Sequence, residues 1–254
     1  MKALIIILLL LPNYLFADDK IYTEYTSNEN YRLYIRLFDN NQFIIECSNL
    51  TIDIPIDYQI SIGRYSIIRD TIIFKDELFD YEYKGTITNE VILNNIRLKI
   101  ISGIDYLEGR EFDYKEMYEW SPEKALTFIN LLRKQKKQNM KSIDSLKSEI
   151  CQYSISSGVY TNLIRSNNKW HDIKRFKLEI NNNQKYKFYI QEDYLLFSKG
   201  NWEQINHLLV LKDEKTNAEF KLEITDKNQL KSLIIPASIG GMSNYKFRLN
   251  QNKE

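Results

Sequence analysis

Two histidines, two cysteines and a doubled Lys-Asp-Glu are the residues of this chain with the types and spacing to do chemistry. His171 follows Trp170 in a predicted polar loop, and His207 sits in a predicted hairpin turn opposite Asp70 of an earlier, similar stretch. Neither has a second ligand at His-x-x-x-His or Cys-x-x-Cys spacing, so no metal site is expected. No Gly-x-Ser-x-Gly elbow presents a nucleophile. A Ser-His-Asp arrangement stays open at this level, because triads assemble in space rather than in sequence. No catalytic residue is assigned and no cofactor is expected; the balance favours a non-enzyme.

The triplets Lys75-Asp76-Glu77 and Lys212-Asp213-Glu214 each follow an apolar strand and precede the next. Turn geometry and solubility explain them, with a paired binding site as the competing reading. Glu82, Lys84, Glu219 and Lys221 alternate with apolar residues and are expected on an outward face, paired across strands. Cys47 and Cys151 could form a disulfide if the chain is exported. Against that, Cys47 shares parity with Phe43 and Ile45, which suits a buried thiol. Arg133, Lys134, Lys136 and Lys137 form a basic run on a predicted helix. Solvation is the plain reading, and contact with an anionic membrane surface or acidic partner is the sharper one. Asn49-Leu50-Thr51 fits a glycosylation triplet in a host that glycosylates exported proteins.

The elements that must carry these residues occur twice. Gly63–Arg97 aligns without a gap with Gly200–Ile234; identical pairs include Gly63/Gly200, Lys75/Lys212, Asp76/Asp213, Ile87/Ile224, Thr88/Thr225 and Leu93/Leu230. A self-match at fixed offset marks a duplicated structural unit. Around it, Tyr31, Leu33, Ile35 and Leu37 alternate with Arg32, Tyr34 and Arg36, and Phe176, Leu178 and Ile180 alternate in the same way. Period-two alternation reads as half-buried strands. Asn40-Asn41-Gln42 and Asn181 to Gln184 supply matching turns. Phe79, Tyr81 and Tyr83 are expected inward on one strand, and Ser48 to Gln59, with Pro55, reads as an inserted loop or edge excursion of the first half only. Between the halves, Ser121 can cap a helix, Pro122 suits its first position, and apolar residues from Leu126 to Ile150 recur at helical spacing, as one helix or two joined near Asn139.

The predicted architecture is therefore mainly β: two tandem antiparallel β-meander domains, each a small barrel or sandwich, joined by a long α-helix. The boundaries are a signal peptide at 1–17, a first domain at 18–118, a connector at 119–153 and a second domain at 154–254. Lys2, the apolar Ala3 to Leu11 and Leu15-Phe16-Ala17 have the layout of a secretory signal, which implies a periplasmic or extracellular location. The formal net charge of +1 argues against a dedicated nucleic-acid binder.

Asn41-Gln42-Phe43 with Gly63-Arg64-Tyr65 and Ile72 to Phe74, and Gln184-Lys185-Tyr186 with Gly200-Asn201-Trp202 and Leu208 to Leu211, resemble small secreted lipocalin-like barrel domains of bacteria. That resemblance implies an interior lined by Tyr65, Tyr83, Trp202 and Phe220 as a candidate site for a small apolar ligand. The leading expectation is an exported, non-enzymatic binding or envelope-interaction protein. The alternatives are a lipocalin-like carrier and an inhibitor that presents Ser48 to Gln59 to a hydrolase.

Overall fold

The computed structural model describes residues 20–24, 31–49, 57–90, 95–115, 122–166, 169–190, 195–235, 237–238 and 245–250. The signal-like segment 1–17 lies outside them, as do residues 50–56 of the expected insertion. In the first half, β1 (Lys20–Glu24), β2 (Tyr31–Leu37), β3 (Gln42–Asn49), β4 (Asp57–Ile68), β5 (Thr71–Asp76), β6 (Glu82–Glu90), β7 (Asn95–Ser102) and β8 (Glu111–Lys115) run up and down. Each pairs with its neighbour, β1 pairs with β8, and the β4–β5 pairing closes the ring. After α1 (Pro122–Ser148) come β9 (Gly158–Ser166), β10 (Lys169–Ile180), β11 (Lys185–Ile190), β12 (Leu195–Ile205), β13 (Leu208–Asp213), β14 (Glu219–Asp226), β15 (Gln229–Ile234), β16 (Ala237–Ser238) and β17 (Lys246–Leu249). All of these but β16 form a second closed barrel, with β17 returning to β9. Closure removes the free edges that an open meander would expose.

Alternation in the sequence becomes inside and outside. Leu33, Ile35 and Leu37 on β2, Ile72 and Phe74 on β5, and Phe176, Leu178 and Ile180 on β10 are buried. The helix is unbroken at Asn139 and packs on the barrels through Ile129, Leu132 and Ile143, all fully buried. The two barrels repeat each other down to backbone geometry. Among the described residues, all six non-glycine residues with positive φ fall in three equivalent pairs: Asn41 with Gln184, Arg69 with Asn206, and Asp80 with Asn217. The turns also repeat their hydrogen bonds, Tyr65 N to Asn41 O and Trp202 N to Gln184 O, both 2.9 Å.

Four expectations need correction. The gapless match fails after Thr88/Thr225, because Ile87 pairs with Leu98 whereas Ile224 pairs with Leu230. Leu98, not Leu93, is thus the counterpart of Leu230, and the β6–β7 connection is longer in the first half. The supposed insertion starts and ends inside strands, with Ser48 opposite Asp57 and Cys47 opposite Tyr58. His171 lies on β10, not in a loop. Phe79 and Tyr81 precede β6, and Phe79 leaves its own barrel: its ring meets Phe220 of the second barrel edge-on at 4.9 Å.

That contact belongs to a reciprocal exchange. In each barrel the strand carrying the conserved-spacing glycine, β4 or β12, starts well before its neighbour reaches it: β5 pairs only from Gly63 onward, and β13 only from Gly200 onward. The bare part of β4 is paired by β16, from the second half, through Ala237 to Gln59 and Ser238 to Tyr58. On β12 the equivalent bare stretch is met by the β7–β8 loop of the first half, with Tyr106 N donating to Phe197 O at 3.4 Å. Tyr106 also lays its ring on Phe197, and Lys215 pairs with Asp105 and Glu108 at 2.7 Å each. Each barrel therefore covers the other's open edge with the loop before its own last strand.

Candidate functional site

The duplicated block carries a buried polar trio in each barrel. Asp76 ends β5 and Asp213 ends β13, and both are buried, at 4% and 1% exposure. The expectation of exposed turn charges is therefore wrong for the aspartates, while Lys75 and Lys212 are exposed as expected. Ser61 Oγ donates to Asp76 Oδ2, and Ser198 Oγ donates to Asp213 Oδ2 at 2.6 Å. The other carboxylate oxygen caps the following turn. Asp76 Oδ1 accepts from Phe79 N at 2.5 Å, and Asp213 Oδ1 accepts from Lys215 N at 3.0 Å, Thr216 N at 2.8 Å and Thr216 Oγ1 at 2.9 Å. An Asx cap of this kind satisfies turn amides that burial would otherwise orphan.

The third member changes strand between the repeats. In the first barrel Tyr83, on β6, donates to Ser61 Oγ at 3.1 Å, and Phe43 fills the place on β3. In the second barrel Tyr186, on β11, lies 2.6 Å from Ser198 Oγ, and Phe220 fills the place on β14. One tyrosine and one phenylalanine flank each serine, with their positions exchanged. Burial pushes both tyrosine hydroxyls well above their ordinary pKa, so they remain protonated. What is held constant is one hydroxyl on the serine, not its source.

The glycine that defines the repeat makes room for this joint. A Cβ on Gly63 would lie 2.0 Å from Lys75 O, and one on Gly200 would lie 2.0 Å from Lys212 O. Two residues on, the aromatic closes the opposite corner. Tyr65 OH donates to Phe38 O at 2.9 Å, and Trp202 Nε1 donates to Asn181 O at 3.0 Å. Tyr65 and Trp202 thus anchor a corner through their polar tips, while the register pairs them with the buried Phe74 and Leu211. Tyr83 and Phe220 do face inward, but among rings: Tyr83 stacks on Phe74 at 4.7 Å, and Phe220 meets Phe197 at 5.6 Å and Phe188 at 6.3 Å.

Each serine donates to a carboxylate, every member is buried, and no imidazole among the described side chains shares the joint. His207 Nδ1 instead lies 3.1 Å from Ile224 O in the β12–β13 turn, far along the barrel wall from Ser198. Among the described residues no group of three or more His, Cys, Asp or Glu could hold a metal. Cys151 is a free thiol 3.2 Å from Tyr153 O, while the side chain of Cys47 lies outside the described residues.

The basic run is partly spoken for. Arg133 grips Glu77 with Nε at 2.6 Å and Nη2 at 3.1 Å, and Lys136 reaches Glu77 O and Asp80 at 2.7 Å. These bonds clamp the first half of α1 to the turn that Asp76 caps. Lys134 and Lys137 are left exposed. At the other end the helix is tied to the second barrel: Asn139 donates to Leu233 O, while His207 N and Asn206 donate to Leu146 O and Lys147 O of the helix. Nothing in the sequence pattern announced this clamp, because its acids and bases lie far apart along the chain.

Asp76 also gives a pH signature. Burial raises its carboxyl to about 7, opposed by the donors Ser61, Phe79 and Leu78 and by the Lys136 charge. A carboxyl raised in the folded state contributes stability that is present below its unfolded value of about 4 and is lost as pH rises through about 7. The melting temperature is expected to fall between pH 5 and pH 8 by more in the wild type than in Asp76→Asn; equal slopes would remove this assignment.

No protein-family model, no curated protein and no solved structure matches this chain.

Proposed function

We propose that this chain is an exported, non-enzymatic binding protein that recognises a macromolecule through the outer surface of its barrel pair. The observation that carries the reading is the packing of aromatic rings against one another inside both barrels. Phe43, Phe74 and Tyr83 touch one another in the first, and Phe176, Phe188, Phe197, Phe220 and Phe247 form a chain of ring contacts in the second. Asp76 and Asp213 are tied to buried serines and to turn amides, so recognition is left to loops, the helix and the outer faces. Export rests on the signal-like segment Met1 to Ala17. The likeness to lipocalin-like barrels supports the architecture, but a carrier needs an interior with room for its ligand. Native mass spectrometry of the full chain purified from its own host is expected to show the bare polypeptide mass. A co-purified apolar molecule whose retention is lost on Phe188→Trp would overturn the reading in favour of a carrier.

A further inference from the structure

The barrel pair is reciprocal, but among the described residues the helix is not repeated. The second half of α1 lies on the outer face of β13 and β15 of the second barrel. Outward Leu208 and Val210 and the bulged Leu233 are buried there, at 0%, 5% and 4% exposure, and Ile205 packs against the core beside them. The strand registers assign each of these a counterpart in the first barrel. Ile205 corresponds to Ile68 and Val210 to Ile73, through the matched β4–β5 and β12–β13 hairpins. Leu233 corresponds to Ile101, since both are the bulged residue opposite Lys84-Gly85 and Lys221-Leu222. Leu208 corresponds to Thr71, but at the other three positions the first barrel has kept apolar side chains, and of these Ile68 is 59% and Ile101 45% exposed. They stand among the few exposed large hydrophobic residues of the described chain. Other outward positions are charged, such as Lys75 and Glu82, and Lys84 lies directly across from Ile73.

We propose that this outer face of the first barrel, lined by Ile68, Ile73 and Ile101, is a second helix-docking groove, and that its occupant is an amphipathic, basic helix of a partner protein. The chain itself shows how the equivalent face is filled: by a helix with apolar residues at helical spacing and Arg133 and Lys136 reaching acids on the neighbouring barrel. The corresponding acid for an incoming helix is Glu214, the counterpart of Glu77, which is 42% exposed and 3.2 Å from Lys199. Asp80 is replaced by Asn217, so the new clamp relies on one carboxylate. Apolar anchors at i, i+3 and i+4 with one flanking charge are the ordinary terms of helix-in-groove recognition. The inference deepens the surface-recognition reading and rests on it.

The probe is a synthetic peptide of residues 122–148, stapled on its solvent side to hold the helix, titrated against the intact chain by fluorescence anisotropy. Saturable one-to-one binding is expected. The double variant Ile68→Glu/Ile101→Glu, shown by thermal melting to be folded, should bind at least about tenfold more weakly, as loss of central anchors does. Absence of saturable binding overturns the groove. So does binding that survives the double variant, which would mean exchange with the resident helix. Failure of the peptide removes the groove alone, whereas a co-purified interior ligand removes the surface reading beneath it.

Discussion

Gly200→Ala is expected to unfold the second barrel at ambient temperature. The added Cβ would sit 2.0 Å from Lys212 O and 2.9 Å from Glu214 N, both backbone atoms. No rotamer change relieves such a clash, so β13 would have to move away from β12 by more than an ångström. That movement would pull Asp213 from Ser198 and break the Glu214 N to Lys199 O bond, which is 3.0 Å long. A backbone clash with loss of a buried network belongs to the small class of substitutions costing about 4 kcal/mol or more, a large share of a domain's net stability. Gly63→Ala should do the same to the first barrel, whose contact at Lys75 O is equally short. Gly109→Ala is the control: nothing lies within 4 Å of its Cβ, and only its φ of +82° opposes the change. About 1–2 kcal/mol is expected there. Thermal or urea unfolding of the three variants checks the ranking; a Gly200→Ala protein as stable as Gly109→Ala would contradict it.

Asp213→Ala is expected to cost about 3 kcal/mol, the second largest effect. The carboxylate serves Ser198 Oγ, Lys215 N, Thr216 N and Thr216 Oγ1 together. Removing it strands several donors in or at the edge of the core, at about 1–3 kcal/mol for each that finds no water. The turn it caps also carries Lys215, whose bonds to Asp105 and Glu108 join the barrels. A loosened turn should therefore weaken the inter-barrel contact as well as the local fold. Asp213→Asn, which keeps an acceptor for the turn amides, should lose only about 1 kcal/mol. Chemical denaturation measures the difference. Equal losses for Ala and Asn would show that the charge, rather than the hydrogen-bond joint, is what the site requires.

The sequence made the barrels legible because their cause is local. Alternation in Tyr31–Leu37 and Phe176–Ile180, turn residues at Asn40-Asn41 and Asn181–Gln184, and the Gly-x-aromatic spacing each impose a backbone shape without reference to distant residues. The glycines read as corner residues, and the structure adds the reason, the close approach of the Lys75 and Lys212 carbonyls. The trio was hidden because its members come from three strands, and because the tyrosine occupies a different strand in each repeat. An alignment by position shows Tyr83 opposite Phe220 and Phe43 opposite Tyr186, and records two conservative exchanges where the fold sees one conserved hydroxyl. Asp76 and Asp213 looked like solvent-side turn charges because a charged triplet after a strand usually is one. Only the inward pairing partners, Gly63 and Gly200, show which way they point. The helix was visible, but its clamp was not, since Arg133 and Glu77 are joined only by tertiary structure.

The central claim is that the duplicated block is a joint that builds barrels rather than a pair of sites. Exchange of the hydroxyl within the first barrel tests it most directly. Tyr83→Phe alone should lower the unfolding free energy by about 1–2 kcal/mol, because Ser61 loses its donor in a closed core. Phe43→Tyr with Tyr83→Phe rebuilds in the first barrel the arrangement that the second barrel already uses. Urea unfolding of the double variant is expected to show most of that loss restored. A double variant as unstable as Tyr83→Phe, or less stable, would contradict the claim, since the two joints would then not be interchangeable.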